Sequence, residues 1–226
     1  MKKFATLLSS IILAVSIFSA GNVYATSLSV GQSDTDGIKS LVNGKAAIEY
    51  GGSLNNSYLD GKQLDYLYCV DLFTVVWSNQ TYDYTTVNDS AIIHGAPLRN
   101  ADHVAYLVST YGLSGAGGGI QGQALQAAIW HEVNATGVYD LNSKAYGKNS
   151  EIVKLYNKFV TEAEAVNTIG NISDLLWINP AKEAGKDDYQ GLVTVAPVPE
   201  PGTMMLLGFG MLGLAIYGKR RSHKEA

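Results

Sequence analysis

Apolar residues gather in several short strand-like runs along the chain. Ala46–Tyr50, Asp65–Phe73, Thr81–Val87, Leu175–Ile178 and Leu192–Val195 are rich in β-branched and aromatic residues, and this pattern predicts strands. In the middle of the chain a helical period appears. Val104, Leu107, Val108 and Tyr111 stand at i, i+3, i+4 and i+7, which predicts a helix with Asn100 as its cap. A second helix fits Gln121–Asn134. A third fits Glu151–Thr168, with Ile152, Leu155, Tyr156, Phe159 and Val166 on one stripe and Ser150 as its cap. Segments 51–63 and 135–149 are polar and bear glycine or asparagine, so they read as loops. There is no internal repeat. Strands on both sides of a helical centre predict an α+β fold, a β-sandwich or barrel holding a helical insertion.

The two ends carry a different pattern. Lys2 and Lys3 precede an apolar stretch, Phe4 to Phe18, and Val23 and Ala25 supply small residues before Thr26. Basic, apolar and small-residue regions in that order predict a secretory signal peptide over residues 1–25. At the other end, Val198-Pro199-Glu200-Pro201 is followed by an apolar run from Thr203 to Tyr217 and then by Lys219-Arg220-Arg221. As a helix this run would extend roughly 23 Å, short of the ~30 Å hydrocarbon core. The basic cluster behind it belongs on the cytoplasmic side, which leaves the body outside. Gly202, Gly208, Gly210, Gly213 and Gly218 weaken it further as a permanent transmembrane helix.

The tail, residues 198–226, resembles the PEP-CTERM sorting signal in its Pro199-Glu200-Pro201 motif, glycine-punctuated apolar segment and terminal basic cluster. The resemblance implies processing by an exosortase in a Gram-negative envelope. It also implies transient membrane anchoring, followed by release or attachment at the cell surface or in an extracellular matrix.

Residues 26–197 remain, enough for one domain with a sizeable core. The chain has 16 Lys+Arg and 20 Asp+Glu. Six of the bases (Lys2, Lys3, Lys219, Arg220, Arg221 and Lys224) and one acid (Glu225) lie outside residues 26–200, which leaves that stretch 10 basic against 19 acidic residues, a net charge of −9. So acidic a body lacks the footprint of a nucleic-acid binder. Cys69 is the single cysteine, so no internal disulfide forms, and an unpaired cysteine in a secreted chain asks for an explanation.

No metal site is expected, because His94, His103, His131 and Cys69 show no ligand spacing. His131-Glu132 is followed at position 135 by Ala135, so the helical zinc-protease motif fails. Gly117, Gly119 and Gly122 match G-x-G-x-x-G, yet a helix rather than a strand precedes them. They read as a flexible helix–helix connection giving access to a site, and no cofactor is expected.

Two motifs carry chemistry. Tyr68-Cys69-Val70-Asp71 lies in a predicted strand whose alternate residues Tyr66, Tyr68, Val70 and Leu72 are apolar or aromatic, with Cys69 on the other face beside Leu67 and Phe73. In Leu125-Gln126-Ala127-Ala128-Ile129-Trp130, a helix puts Gln126 on the stripe of Ile129, Trp130 and Val133. A glutamine on a core-facing stripe needs a partner, because an unpaired buried amide is costly. Gln121 and Gln123 lie nearby and remain open by periodicity alone.

Together these residues resemble the thioester domain of bacterial surface adhesins, best known from Gram-positive wall-anchored proteins. The resemblance spans roughly residues 40 to 195 and implies a thioester-domain-like fold with an internal Cys69–Gln126 thioester. It implies covalent capture of a nucleophile, such as a protein lysine, a polyamine or a polysaccharide, rather than enzymatic turnover. Tyr68, Asp71, Ile129, Trp130 and His131 are the candidates to line the site. Tyr68, Asp71 and His131 are candidate bases, and Trp130 is a lid or wall.

Two other classes stand beside this one. The first is a passive matrix or envelope protein without covalent chemistry. The second is a cysteine hydrolase pairing Cys69 with His94, His103 or His131. A hydrolase needs a reactive, partly exposed thiol next to a base, which a cysteine in an apolar strand matches poorly.

Overall fold

The computed structural model describes residues 24–33, 36–165, 170–186, 189–195, and 208, 210 and 211. Most of the expected signal peptide, Val166 of the third helical stripe and the Pro199-Glu200-Pro201 motif lie outside the described residues. The chain divides into two units, Met1–Val195 and Ala196–Ala226. Among the described residues no helix is long and apolar enough to cross a membrane.

In the first unit, short strands come first: β1 (Tyr24–Val30), β2 (Gln32–Ser33), β3 (Ile38–Val42), β4 (Lys45–Glu49), β5 (Leu54–Asn55), β6 (Tyr58–Leu59) and β7 (Lys62–Gln63). β8 (Tyr68–Cys69), β9 (Gln80–Asn88), β10 (Ile92–Ile93) and β11 (Ala96–Pro97) follow. The helical centre holds α1 (Ala101–Gly115), α2 (Gly119–Val133), α3 (Ser143–Tyr146) and α4 (Glu151–Ala165), with β12 (Tyr139–Leu141) after α2. β13 (Leu175–Asn179) and β14 (Leu192–Val195) close the unit. The fold is α+β with its helices between strands, as the pattern predicts. The expected sandwich or barrel takes the form of one open seven-stranded sheet, in the order β7-β6-β1-β9-β13-β14-β8, with three small sheets beside it.

The sheet's core follows from residue type. Leu175, Trp177, Ile178, Leu192 and Val193 are all fully buried, so β13 and β14 are covered on both faces and read as continuous apolar runs. β9 buries Tyr82 and Thr85, three residues apart, because its register against β1 shifts between Thr26 and Leu28, and Tyr84 stays exposed. The expected mature start, Thr26, falls inside β1, where Thr26 pairs with Thr85 and Leu28 with Tyr82. The strand from Thr26 onward therefore holds its place beside β9.

Three expectations need correction. Asp65–Phe73 predicted one long strand, but only Tyr68–Cys69 pairs. Asp71 Oδ1 accepts from Phe73 N at 2.9 Å, and this side-chain turn ends the extended run. Phe73 is then 63% exposed rather than packed beside Cys69.

The two helix caps also differ. Asn100 is left-handed, with φ 48° and no capping bond, because its side chain donates instead to Glu132 Oε2 at 3.1 Å. The Ser150 hydroxyl is buried without a hydrogen-bond partner.

The glycine-rich stretch joins α1 to α2, with open space around Gly117 and Gly119, while two glycines of α1 itself are closely packed. A methyl on Gly112 would sit 2.6 Å from the Tyr66 ring, and one on Gly115 would sit 2.6 Å from the Tyr68 hydroxyl. These glycines let Tyr66 and Tyr68 approach α1 closely, where their hydroxyls donate to Val108 O and Gly112 O. The segments read as loops contain the short elements β5 to β7, β12 and α3.

α2 is buried nearly all round. Gly122, Ala124 to Trp130 and Glu132 are inaccessible, so this helix is a core element rather than an amphipathic surface helix. α4 is amphipathic and buries Ile152, Val153, Tyr156, Phe159 and Ala163.

Candidate functional site

The site forms where the edge of the sheet meets the buried helix. β8 pairs only with β14, Leu192 standing opposite Cys69 and Val193 opposite Tyr68. Backbone bonds on either side fix this two-residue strand: Leu54 N donates to Leu67 O, and Val70 N to Gly191 O, each at 2.8 Å. Because α2 has no polar face, Gln126 is carried into the interior and is fully buried. Its amide must find partners there.

The partners are backbone groups of Cys69 itself. Cys69 N donates to Gln126 Oε1 at 3.1 Å, and Gln126 Nε2 donates to Cys69 O at 2.7 Å. A second backbone donor, Gly52 N, reaches the same Oε1 at 3.3 Å. Two main-chain N–H groups thus converge on one carbonyl oxygen. This is the arrangement that stabilises negative charge developing on that oxygen when its carbon is attacked. Of the three glutamines left open by periodicity, Gln126 is the one that meets Cys69. Gln121 bonds the Ser114 hydroxyl and Gln123 the Asp36 carbonyl.

The walls are dry. Ile129 is fully buried, and Trp130 is 1% exposed, its ring edge-on to Tyr139 with centroids 5.6 Å apart. A methyl on Gly51 would sit 2.6 Å from Trp130 Cη2 and 2.9 Å from Gln126 Cγ. Position 51 therefore admits only glycine without a shift of the core. Gly52 adopts φ 116°, a left-handed conformation that favours glycine and aims its N–H at Gln126. Trp130 is a wall behind the amide rather than a lid.

None of the three candidate bases bonds to Cys69 or Gln126. The Tyr68 hydroxyl donates to Gly112 O at 2.9 Å, towards α1, and burial pushes its acidity far from the neutral range. The Asp71 carboxylate is held by Phe73 N, by the Thr74 hydroxyl and by His94 Nε2, the last at 2.9 Å. His131 Nδ1 faces the Tyr156 hydroxyl on α4 at 2.8 Å. Burial, and secondarily the Asp71 charge, push the Cys69 thiol up to about 12. A free thiol here stays protonated at neutral pH.

The sequence reading did not single out Gly51 and Gly52 as site residues. Their signal was a Gly-Gly pair in a polar segment, which reads equally well as an ordinary loop. His94 with Asp71 borders a separate pocket of about 320 Å³, lined also by Val70, Pro97, Arg99 and Asn134. Cys69 and Gln126 do not line it.

Comparison with known proteins gives the tail a name. Residues 197–221 match the PEP-CTERM protein-sorting motif. That motif implies export and processing by an exosortase. None of the curated proteins matches the chain in sequence. Among solved structures, the chain aligns with the N-terminal thioester domain of protein F2 like fibronectin-binding protein from Streptococcus pneumoniae. Identity is 14%, 78% of this chain and 96% of that chain are covered, and the TM-score is 0.38. The reading of the site rests on its own geometry.

Proposed function

We propose that this is an exported surface protein that captures a nucleophile through an internal Cys69–Gln126 thioester. Its parts are a signal peptide over 1–25, a capture domain over 26–197 and a sorting signal over 198–226. The observation that carries the proposal is the pairing of the Gln126 amide, through both its oxygen and its nitrogen, with the backbone of Cys69.

The chemistry follows from that placement. The Cys69 sulfur adds to the Gln126 amide carbon while Cys69 N–H and Gly52 N–H take up charge on Oε1. The thiol proton passes to Nε2, the C–N bond breaks and ammonia leaves, with an S–C bond in place of the S–H. Reactants and products are all neutral. The burial that disfavours a thiolate therefore does not oppose the overall exchange.

The thioester carbonyl remains electrophilic, because sulfur is a better leaving group than a hydroxyl or alkoxide oxygen. An incoming amine takes the acyl group. Its nitrogen bonds to the Gln126 carbon, the S–C bond breaks, and the proton released by nitrogen returns to sulfur. Lysine, with an ordinary pKa near 10.4, is neutral in only about one molecule in a few thousand at pH 7, so capture is slow unless the target amine is desolvated. Exclusion of water by Ile129, Trp130 and Tyr68 protects the bond from hydrolysis.

One observation favours a second reading. The same hydrogen bonds would satisfy a buried glutamine in a passive envelope protein, with no covalent step. The hydrolase reading loses support from a thiol 1% exposed with no base in contact among the described residues. Intact mass separates the two that remain. Capture chemistry leaves the purified protein lighter than its sequence by one ammonia, and a passive protein has the full mass.

A further inference from the structure

The C-terminal turns of α2 and α4 bring together His131, Glu132 and Glu164, whose nearest ligand atoms all lie within 4.8 Å of one another. Two observations beyond the cluster itself point to a cation.

The first is an orphaned oxygen. Glu132 is 2% exposed, and its Oε2 accepts from His103 Nδ1 at 2.8 Å and from Asn100 Nδ2 at 3.1 Å. Its Oε1 is equally buried and has no hydrogen-bond partner. A buried carboxylate oxygen without a donor is costly unless something positive faces it.

The second is the tautomer of His131. The Tyr156 hydroxyl donates its one proton to Asp140 Oδ1 at 2.7 Å. In the 2.8 Å contact with His131, the donor must then be Nδ1–H. In the neutral ring, Nε2 is left with a bare lone pair. A chain of carboxylate, hydroxyl and imidazole N–H is how metal-binding histidines are held with the other nitrogen free.

Arg99 takes up the terminal carbonyls of α2, its Nη1 donating to Glu132 O at 2.6 Å and to Asn134 O. α2 has no basic residue in its last turn except His131, and α4 has none. No Lys or Arg nitrogen lies within ion-pairing distance of either glutamate among the described residues.

We infer that His131, Glu132 and Glu164 form a binding site for a divalent transition cation. One imidazole nitrogen and two carboxylate oxygens suit zinc, bound at ~2.0–2.2 Å with further positions open to water beside the exposed Glu164. The ion would fasten the end of the helix that carries Gln126 to α4. The inference does not depend on the thioester, and it departs from the sequence expectation of no metal, which weighed only histidine and cysteine spacing.

Calorimetric titration of the EDTA-treated, dialysed full chain with zinc chloride tests it, together with thermal unfolding with and without zinc. We expect one zinc per chain and, at saturation, a rise in Tm of about 5 °C. Glu164→Gln, an exposed substitution that leaves the core untouched, should bind at least tenfold more weakly and lose the rise in Tm. His131→Gln should do the same. Absence of binding by the parent protein overturns the inference, as does a Glu164→Gln variant that binds zinc as the parent does. Neither outcome bears on the mass of the Cys69–Gln126 site, so the two proposals fail separately.

Discussion

Gln126 Nε2 donates to Cys69 O at 2.7 Å while Cys69 N donates to Gln126 Oε1 at 3.1 Å, so one side-chain amide engages both backbone groups of the residue proposed to attack it. The two residues are 57 positions apart in sequence, and folding has already brought them together before any bond forms. Orientation of this kind removes much of the entropic barrier to an acyl transfer. A thioester also needs a polarised carbonyl and apolar surroundings. Gly52 N–H and the Ile129–Trp130 wall supply these.

Removing the sulfur should cost stability as well as chemistry. A covalent link across 57 positions restricts the unfolded chain, and the loop-entropy relation for disulfides gives about 4 kcal/mol for a loop of this size. For a domain of this length that corresponds to a fall in Tm of roughly 10 °C. Calorimetry of Cys69→Ala against the parent measures it, and equal melting curves would count against the bond.

Gly51→Ala probes the wall. Its new methyl would meet Trp130 Cη2 at 2.6 Å and Gln126 Cγ at 2.9 Å, contacts too short to keep. We expect a loss of about 1–3 kcal/mol in denaturant unfolding, as for other overpacked cores. Ammonia loss should also be slowed or incomplete, because the amide is pushed off the Cys69 backbone. Full-rate closure in this variant would show that the contact is not what positions Gln126.

After capture, Cys69 returns as a thiol in a site where burial, and secondarily the Asp71 charge, pushes its pKa up to about 12. A thiol whose folded pKa lies above its unfolded value adds stability at pH below the unfolded value, and loses it as pH climbs towards the folded one. The amine-reacted form should therefore weaken between about pH 9 and 12 relative to the intact thioester, which has no thiol to titrate. Parallel melts across that range give the difference. Iodoacetamide at pH 8 should leave the native reacted form unlabelled and label it fully in denaturant. Rapid native labelling would mean that the thiol is neither buried nor held neutral.

Much of this was legible in the chain. β4, β9, β13 and β14 fall on the stretches rich in β-branched and aromatic residues, and α1, α2 and α4 on the helical stripes, although β13, β14 and α2 are buried on more than one face. β1 was hidden by the signal peptide, whose expected cleavage point falls within the strand. The overlong strand at Asp65–Phe73 arose because hydrophobicity continues past Val70, whereas the backbone turns on the Asp71 side chain.

At the site, Cys69 stood out as the single cysteine, whereas Gln126 was picked from Gln121 and Gln123 by the family resemblance of its helix motif rather than by periodicity. Gly51 and Gly52 did not stand out, since their role depends on a contact 74 positions away in sequence. The candidate bases failed for a related reason. Nearness in sequence put Tyr68, Asp71 and His131 beside the reactive pair, while strand and helix geometry turns Tyr68 towards α1 and His131 towards α4, and a local turn takes up Asp71.

The most direct measurement is mass spectrometry of the purified domain before and after methylamine, with peptide mapping. The account expects a starting mass one ammonia below that of the sequence. It then expects gain of one methylamine at Gln126 with release of one thiol at Cys69, both absent in Cys69→Ala. A full starting mass, with no methylamine taken up at Gln126, would contradict it.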